Sequence, residues 1–154
     1  DHSWGKRNWT GIRAHRFFSA NFGPALHVAC ISYIGDDGHL SKNGLVIRNE
    51  EVQFTKDFSI LAYMGEDAVS NRGGVLSITL PDRSYELQFN PVGKAAISVI
   101  DGFPCVNSLC RVRAGDLNGV GVAETSNNAQ GGSKLPFVFP SSVGVIDNGL
   151  FTTA

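Results

Sequence analysis

Turn signals recur roughly every ten residues through residues 12–125, and between them apolar residues alternate with polar ones instead of repeating at helical spacing. Asn21-Phe22-Gly23-Pro24, Gly35-Asp36-Asp37-Gly38, Pro81-Asp82-Arg83, Asp101-Gly102 and Gly115-Asp116-Leu117-Asn118-Gly119 are the punctuation. Between the first two, Leu26, Val28, Cys30, Ser32 and Ile34 alternate with His27, Ala29, Ile31 and Tyr33. In the clearest hairpin, Leu76, Ile78 and Leu80 share one face, and Tyr85, Leu87 and Phe89 line one side of the return strand. The pattern predicts nine strands, at 12–18, 25–34, 40–48, 52–64, 75–80, 84–89, 94–100, 106–114 and 120–125. Asn43-Gly44 reads as a bulge or a second turn, Lys56-Asp57 as a bulge or break, and 65–74 as a polar loop. Such a chain folds as an all-β, antiparallel, up-and-down sheet or barrel. Several strands are apolar on both faces near their middles, as in a sheet that buries one face and encloses an apolar lumen.

After Thr125 the character changes. Ser126-Asn127-Asn128-Ala129-Gln130-Gly131-Gly132-Ser133 has linker composition, and Leu135-Pro136-Phe137-Val138-Phe139-Pro140 with Val143-Gly144-Val145-Ile146 forms an apolar tail. The expected division is a β domain over 1–125, then linker and tail over 126–154. The tail has three options: to strap across the barrel, to pair with an edge strand, or to dock on another subunit.

Composition removes several functions. Lys+Arg 13 against Asp+Glu 14, with no charged block, lacks the basic stripe that neutralises phosphates, so no nucleic-acid partner is expected. No run reaches the roughly 20 apolar residues of a membrane span. Cys30, Cys105 and Cys110 form neither a C-x-x-C pair nor an even disulfide set, which points to free thiols and a cytoplasmic setting. No motif for a metal, a nucleotide or another cofactor is present, and none is expected.

The densest chemistry is at the start: Asp1-His2-Ser3-Trp4-Gly5-Lys6-Arg7-Asn8-Trp9. This run resembles the D-H-x-W-G element of the AttH/CrtC superfamily, which includes carotenoid 1,2-hydratase and lipocalin-like cyclases. It is most similar to a bacterial version close to D-H-S-W-G-x-R-x-W. The Tyr33 to Gly38 strand-and-turn and the ending Gly119-Val120-Gly121-Val122-Ala123-Glu124, similar to a G-x-G-x-x-E close, agree with it. The resemblance covers 1–125 and implies a lipocalin-like barrel. It also implies a preceding β domain, because in such proteins the element opens the second of two.

Candidate site residues follow from both readings. His2 is the expected general acid/base and Asp1 its carboxylate partner, although neighbours on a strand point to opposite faces and need a bend to meet. Arg7 between Trp4 and Trp9 either stacks to hold a ligand oxygen or caps the indoles as a cation–π pair. Glu124 shares parity with Val120 and Val122. It either faces a lumen, where it could donate a proton, or sits at a strand end in water. His27 and Tyr33 are polar tips on an otherwise apolar wall, suited to orienting a ligand. His15 and His39, beside basic residues or turns, are expected at the surface. The expected function is binding of a mostly apolar terpenoid or polyketide-like molecule in a barrel cavity, with cofactor-independent isomerisation, cyclisation or hydration. The alternative is a non-catalytic binder or the structural half of a two-domain protein, with a partner domain or a second copy engaged through the tail.

Overall fold

The computed structural model describes residues 11–35, 37–64, 71–100, 103–127 and 145–147. Asp1, His2, Trp4, Arg7 and Trp9 lie outside the described residues. Every element within them is a strand: β1 (Ile12–Asn21), β2 (His27–Gly35), β3 (Leu40–Arg48), β4 (Glu51–Thr55), β5 (Phe58–Met64), β6 (Asn71–Thr79), β7 (Ser84–Pro91), β8 (Ala96–Ile100), β9 (Phe103–Ala114), β10 (Leu117–Asn127) and β11 (Val145–Asp147). All pair antiparallel in one curled sheet of order β11-β5-β6-β7-β9-β10-β1-β2-β3-β4, with β8 beside β9.

The nine expected strands become eleven for two local reasons. Lys56-Asp57 is a full break: Asp57 donates its amide to Thr55 Oγ1 at 2.9 Å, and the chain leaves the β3 side of the sheet for the β6 side. In the tail, β11 pairs with β5, a sheet edge, which is one of the three options open to it. Of two other expected irregularities, one is regular strand and the other is strand with a bulge. Asn43-Gly44 continues β3 with no slip in register, because Gly44 lies close against Thr55 and the Cys30 sulfur. Residues 71–74 belong to β6 but carry a bulge against β5, the register slipping between Ala62↔Gly74 and Met64↔Asn71; Gly73 and Gly74 take positive φ values there, and Phe89 and Leu61 carbonyls fill the space a side chain would need.

The first strand closes on the last long one: β1 pairs with β10 from Ala14↔Asn127 to Asn21↔Val120. The sheet is instead open between β4 and the opposite edge, where β11 lies on β5. Thr79 donates its amide to Asp57 O at 2.9 Å and Thr55 Oγ1 donates to Thr79 O at 3.2 Å, tying the corner of that gap. Lys42 reaches across it, donating to the Phe58 carbonyl with its ammonium 4.7 Å from the Phe58 ring centroid.

The curl is filled. Phe18, Val28, Cys30, Leu76, Leu87 and Ala123 are each fully excluded from solvent within one continuous cluster that also holds Phe58, Ile60, Met64, Phe89, Cys110 and Val112. The Phe18 and Phe89 rings meet at 4.7 Å between centroids with a 56° tilt. At one end the inner face turns polar, with Arg16, Ser32, Asn71, Ser108 and Thr125 all buried. Arg16 donates through Nη1 to the carbonyls of His15 (2.8 Å) and Ser126 (2.9 Å), which satisfies part of a buried guanidinium with backbone acceptors.

Candidate functional site

Strand alternation sends the neighbours of these core residues to the outer face, and the ladder register aligns them in rows. One row runs Ser41 (β3), Tyr33 (β2), His15 (β1), Ser126 (β10), Cys105 (β9), Ser98 (β8). The next row runs Asn43, Ile31, Phe17, Glu124, Asn107, Ala96. Beyond it the face is mixed: Leu45, Ala29, Ser19, Val122 and Leu109 form a mainly apolar row, and Ile47, His27, Asn21, Val120 and Arg111 alternate apolar with polar. Phe54 and Val52 extend it on β4, opposite Leu45 and Ile47. Phe54 is 82% exposed, Val120 61% and Leu109 58%, an unusual amount of apolar surface for a face that meets water.

The polar rows converge on one constellation. His15 Nε2 lies 2.6 Å from Glu124 Oε1, between strands whose sequence separation is 109 residues. Their side chains are 5% and 25% exposed, so the pair is largely removed from water. Cys105 donates its thiol to Glu124, and Ser98 and Asn107 hydrogen-bond to the Cys105 sulfur, the Asn107 amide at 3.6 Å. Burial alone would raise the Glu124 pKa. The hydrogen bond and charge of His15, with bonds from Cys105 and Asn107, outweigh burial and hold it below the ordinary carboxylate value. Glu124 is therefore an ionised acceptor at neutral pH and His15 Nε2 carries the proton between them. Cys105 is shifted the other way: burial, then the Glu124 charge, push its thiol up to about 12. It is a thiol at neutral pH, not a nucleophilic thiolate.

At neutral pH Cys105 should alkylate with iodoacetamide far more slowly than a free cysteine, since a rise from 9.0 to about 12 removes roughly a thousandfold of its thiolate. Rapid stoichiometric labelling at Cys105, located by mass spectrometry, would contradict this. The Glu124 carboxylate is stabilised in the folded state, so its contribution is complete above the unfolded pKa of a glutamate. It is lost as pH falls through that value to the lower folded one. Melting temperature should fall with acidification across this window in the native chain, and less steeply in Glu124→Gln.

The sequence-derived candidates divide. Glu124 is half-buried and paired, neither in a lumen nor in open water, because the small face of β10 (Gly119, Gly121, Ala123) is the one turned inward. His27 and Tyr33 likewise stand on the outer face, while Val28, Cys30, Ser32 and Ile34 face the core. Tyr33 sits beside His15 in register and helps line an open depression of about 440 Å³ with Gly11, Gly35, Asp37, His39 and Ser41. His15, expected at the surface, is 4% exposed and central to the constellation. No local signal marks it; only the β1–β10 register does. His39 is exposed, as expected. Cys105 and Cys110 lie on opposite faces of one strand and all three cysteines are free.

Fold and site together define an all-β domain with a packed curl and, on its outer face, a polar centre beside exposed apolar side chains. The family model described as Domain of unknown function (DUF7064) matches residues 1–129, and the chain belongs to that family. No curated protein matches it. Among the described residues no helix is long and apolar enough to cross a membrane.

Proposed function

We propose that the domain binds a mostly apolar small molecule, of terpenoid or polyketide-like character, on the outer face of the sheet, with the His15–Glu124 pair as the polar centre that engages it. The observation that carries this reading is the 2.6 Å His15–Glu124 contact, largely sheltered from water, on the face that also exposes Leu109, Val120 and Phe54. The packed inner cluster favours the outer face over the lumen as the seat. A carboxylate that fixes an imidazole proton is the arrangement acid/base catalysis uses. It suits the isomerisation, cyclisation or hydration that the AttH/CrtC resemblance suggests. In that resemblance His2 and Asp1 are further candidates for proton transfer.

The test is titration of the full chain with anilinonaphthalene sulfonate, followed by its fluorescence. Binding in the micromolar range is expected, weakened about tenfold or more by Phe17→Asp, which places a charge between Ile31 and Glu124 on that face. Unchanged affinity in folded Phe17→Asp would sink the outer-face reading. The exposure of Phe54, Val52, Val120 and Leu109 favours a second reading, in which the same face is covered by a partner β domain. A chain that fails to bind the probe yet self-associates or captures such a domain would select it.

A further inference from the structure

We propose that His15 Nε2, Cys105 Sγ and a Glu124 carboxylate oxygen hold one zinc ion per chain, with the fourth coordination position open toward the outer face. The inference rests on the polar centre described above and names the ion that would serve it. All three ligand atoms lie within 4.8 Å of one another. Tetrahedral zinc bonds of about 2.0–2.3 Å set ligand atoms roughly 3.3–3.8 Å apart. The cluster therefore reaches zinc geometry when the 2.6 Å His15–Glu124 contact opens by about 0.7 Å and the widest pair, at up to 4.8 Å, closes by about 1 Å, both side-chain adjustments.

The backbone positions are already fixed. His15, Ser126 and Cys105 occupy one row across β1, β10 and β9, and Glu124 stands two residues along β10 from Ser126. Continuous ladders hold all three strands, so the ligands come from a rigid surface. Supporting groups are in place as well: Asn107 and Ser98 hydrogen-bond to the sulfur, and Asn107 also to Glu124, the outer contacts that orient metal ligands. A thiolate with an imidazole and a carboxylate selects zinc over magnesium or calcium, which take oxygen ligands. On binding, the Cys105 S–H bond breaks, its proton goes to solvent and the sulfur lone pair goes to the metal. The two anionic ligands then neutralise the dication. Three protein ligands leave room for one oxygen of a bound small molecule.

The experiment uses the full chain, stripped with chelator and titrated with cobalt(II) and then zinc, without any probe molecule present. Expected are one equivalent of cobalt, the visible bands of a tetrahedral site and a near-ultraviolet thiolate-to-cobalt band, all abolished by zinc. Cys105→Ser should lose the thiolate band while keeping the far-ultraviolet circular dichroism of the native chain. His15→Gln and Glu124→Gln should each weaken cobalt binding at least tenfold, and Cys30→Ser and Cys110→Ser should leave the band intact. Absence of the band in the folded native chain, its persistence in Cys105→Ser, or unchanged cobalt affinity in His15→Gln would overturn the proposal. Metal retention is read separately from probe affinity, so loss of anilinonaphthalene sulfonate binding in a chain that holds cobalt fails only the small-molecule reading.

Discussion

Gly121→Val should lower the melting temperature by about 10 °C or more, or abolish cooperative unfolding. The reason is space. A Cβ at Gly121 collides with the Ser19 carbonyl oxygen and meets Val112 Cγ2 at 2.8 Å and Phe89 Cε1 at 3.0 Å. Gly119 is similar: its Cβ runs into the Asn21 carbonyl and meets Phe22 Cδ1 at 2.7 Å. These are the two glycines of the G-x-G-x-x-E ending. Their absent side chains let β10 lie tight against β1 while the ring of Phe89 crosses the inner face above it. Overpacking a core costs about 1–3 kcal/mol, and more when the obstacle is backbone. Against a typical total of about 5–15 kcal/mol that is a large share. Val120→Ser, one residue away on the outer face, should change stability by no more than about 0.5 kcal/mol. Thermal unfolding followed by circular dichroism separates the two; equal melting temperatures for Gly121→Val and the native chain would contradict the inward orientation of Gly121.

Phe18→Ala should cost about 3–5 kcal/mol, read from the urea midpoint or as a drop of about 10–15 °C in melting temperature. Phe18 is 0% exposed, and its cross-strand partners on either side are Cys30 and Ala123. Both are small, so its ring is the main filling between β1, β2 and β10 at that level, and its 4.7 Å contact with Phe89 links this half of the sheet to β7. Truncation leaves a void that small neighbours on regular ladders cannot collapse to fill. Phe17, one residue earlier and half-buried on the outer face, provides the contrast: Phe17→Ala should cost less than half as much while weakening probe binding. A Phe18→Ala cost below about 1 kcal/mol would show that the curl is not the packed core described.

Much of this fold was legible because antiparallel strands with one buried face write their alternation directly into the chain. The 75–89 hairpin is the plainest case: Leu76, Ile78, Leu87 and Phe89 all face inward, as their parity predicts. What alternation cannot decide is which of two apolar faces is inside. On β2 and β10 both faces carry valine, isoleucine or alanine, and the choice falls to residues on other strands. Once Phe18, Phe22 and Phe89 occupy the curl, β10 must turn its glycines inward and Glu124 outward. His15 was illegible for a similar reason. Arg13 and Arg16 flank it and suggest a surface strand, whereas the side chain of Arg16 is buried and His15 is held by a carboxylate from the far end of the chain. The Cys105 contact likewise depends on the β9–β10 register. Such pairings across strands leave no signature in local spacing.

On the proposed function, a small molecule docks on the outer face beside His15 and Glu124. Methyl and aromatic chemical shifts of the full chain, recorded while anilinonaphthalene sulfonate is added, read this directly. Phe17, Ile31, Tyr33 and Val122 should shift in a saturable manner together with the His15 ring, while Leu76, Leu87 and Val28 stay in place. Saturable shifts confined to Leu76, Leu87 and Val28, with the outer rows unmoved, would place the ligand inside the curl and contradict it.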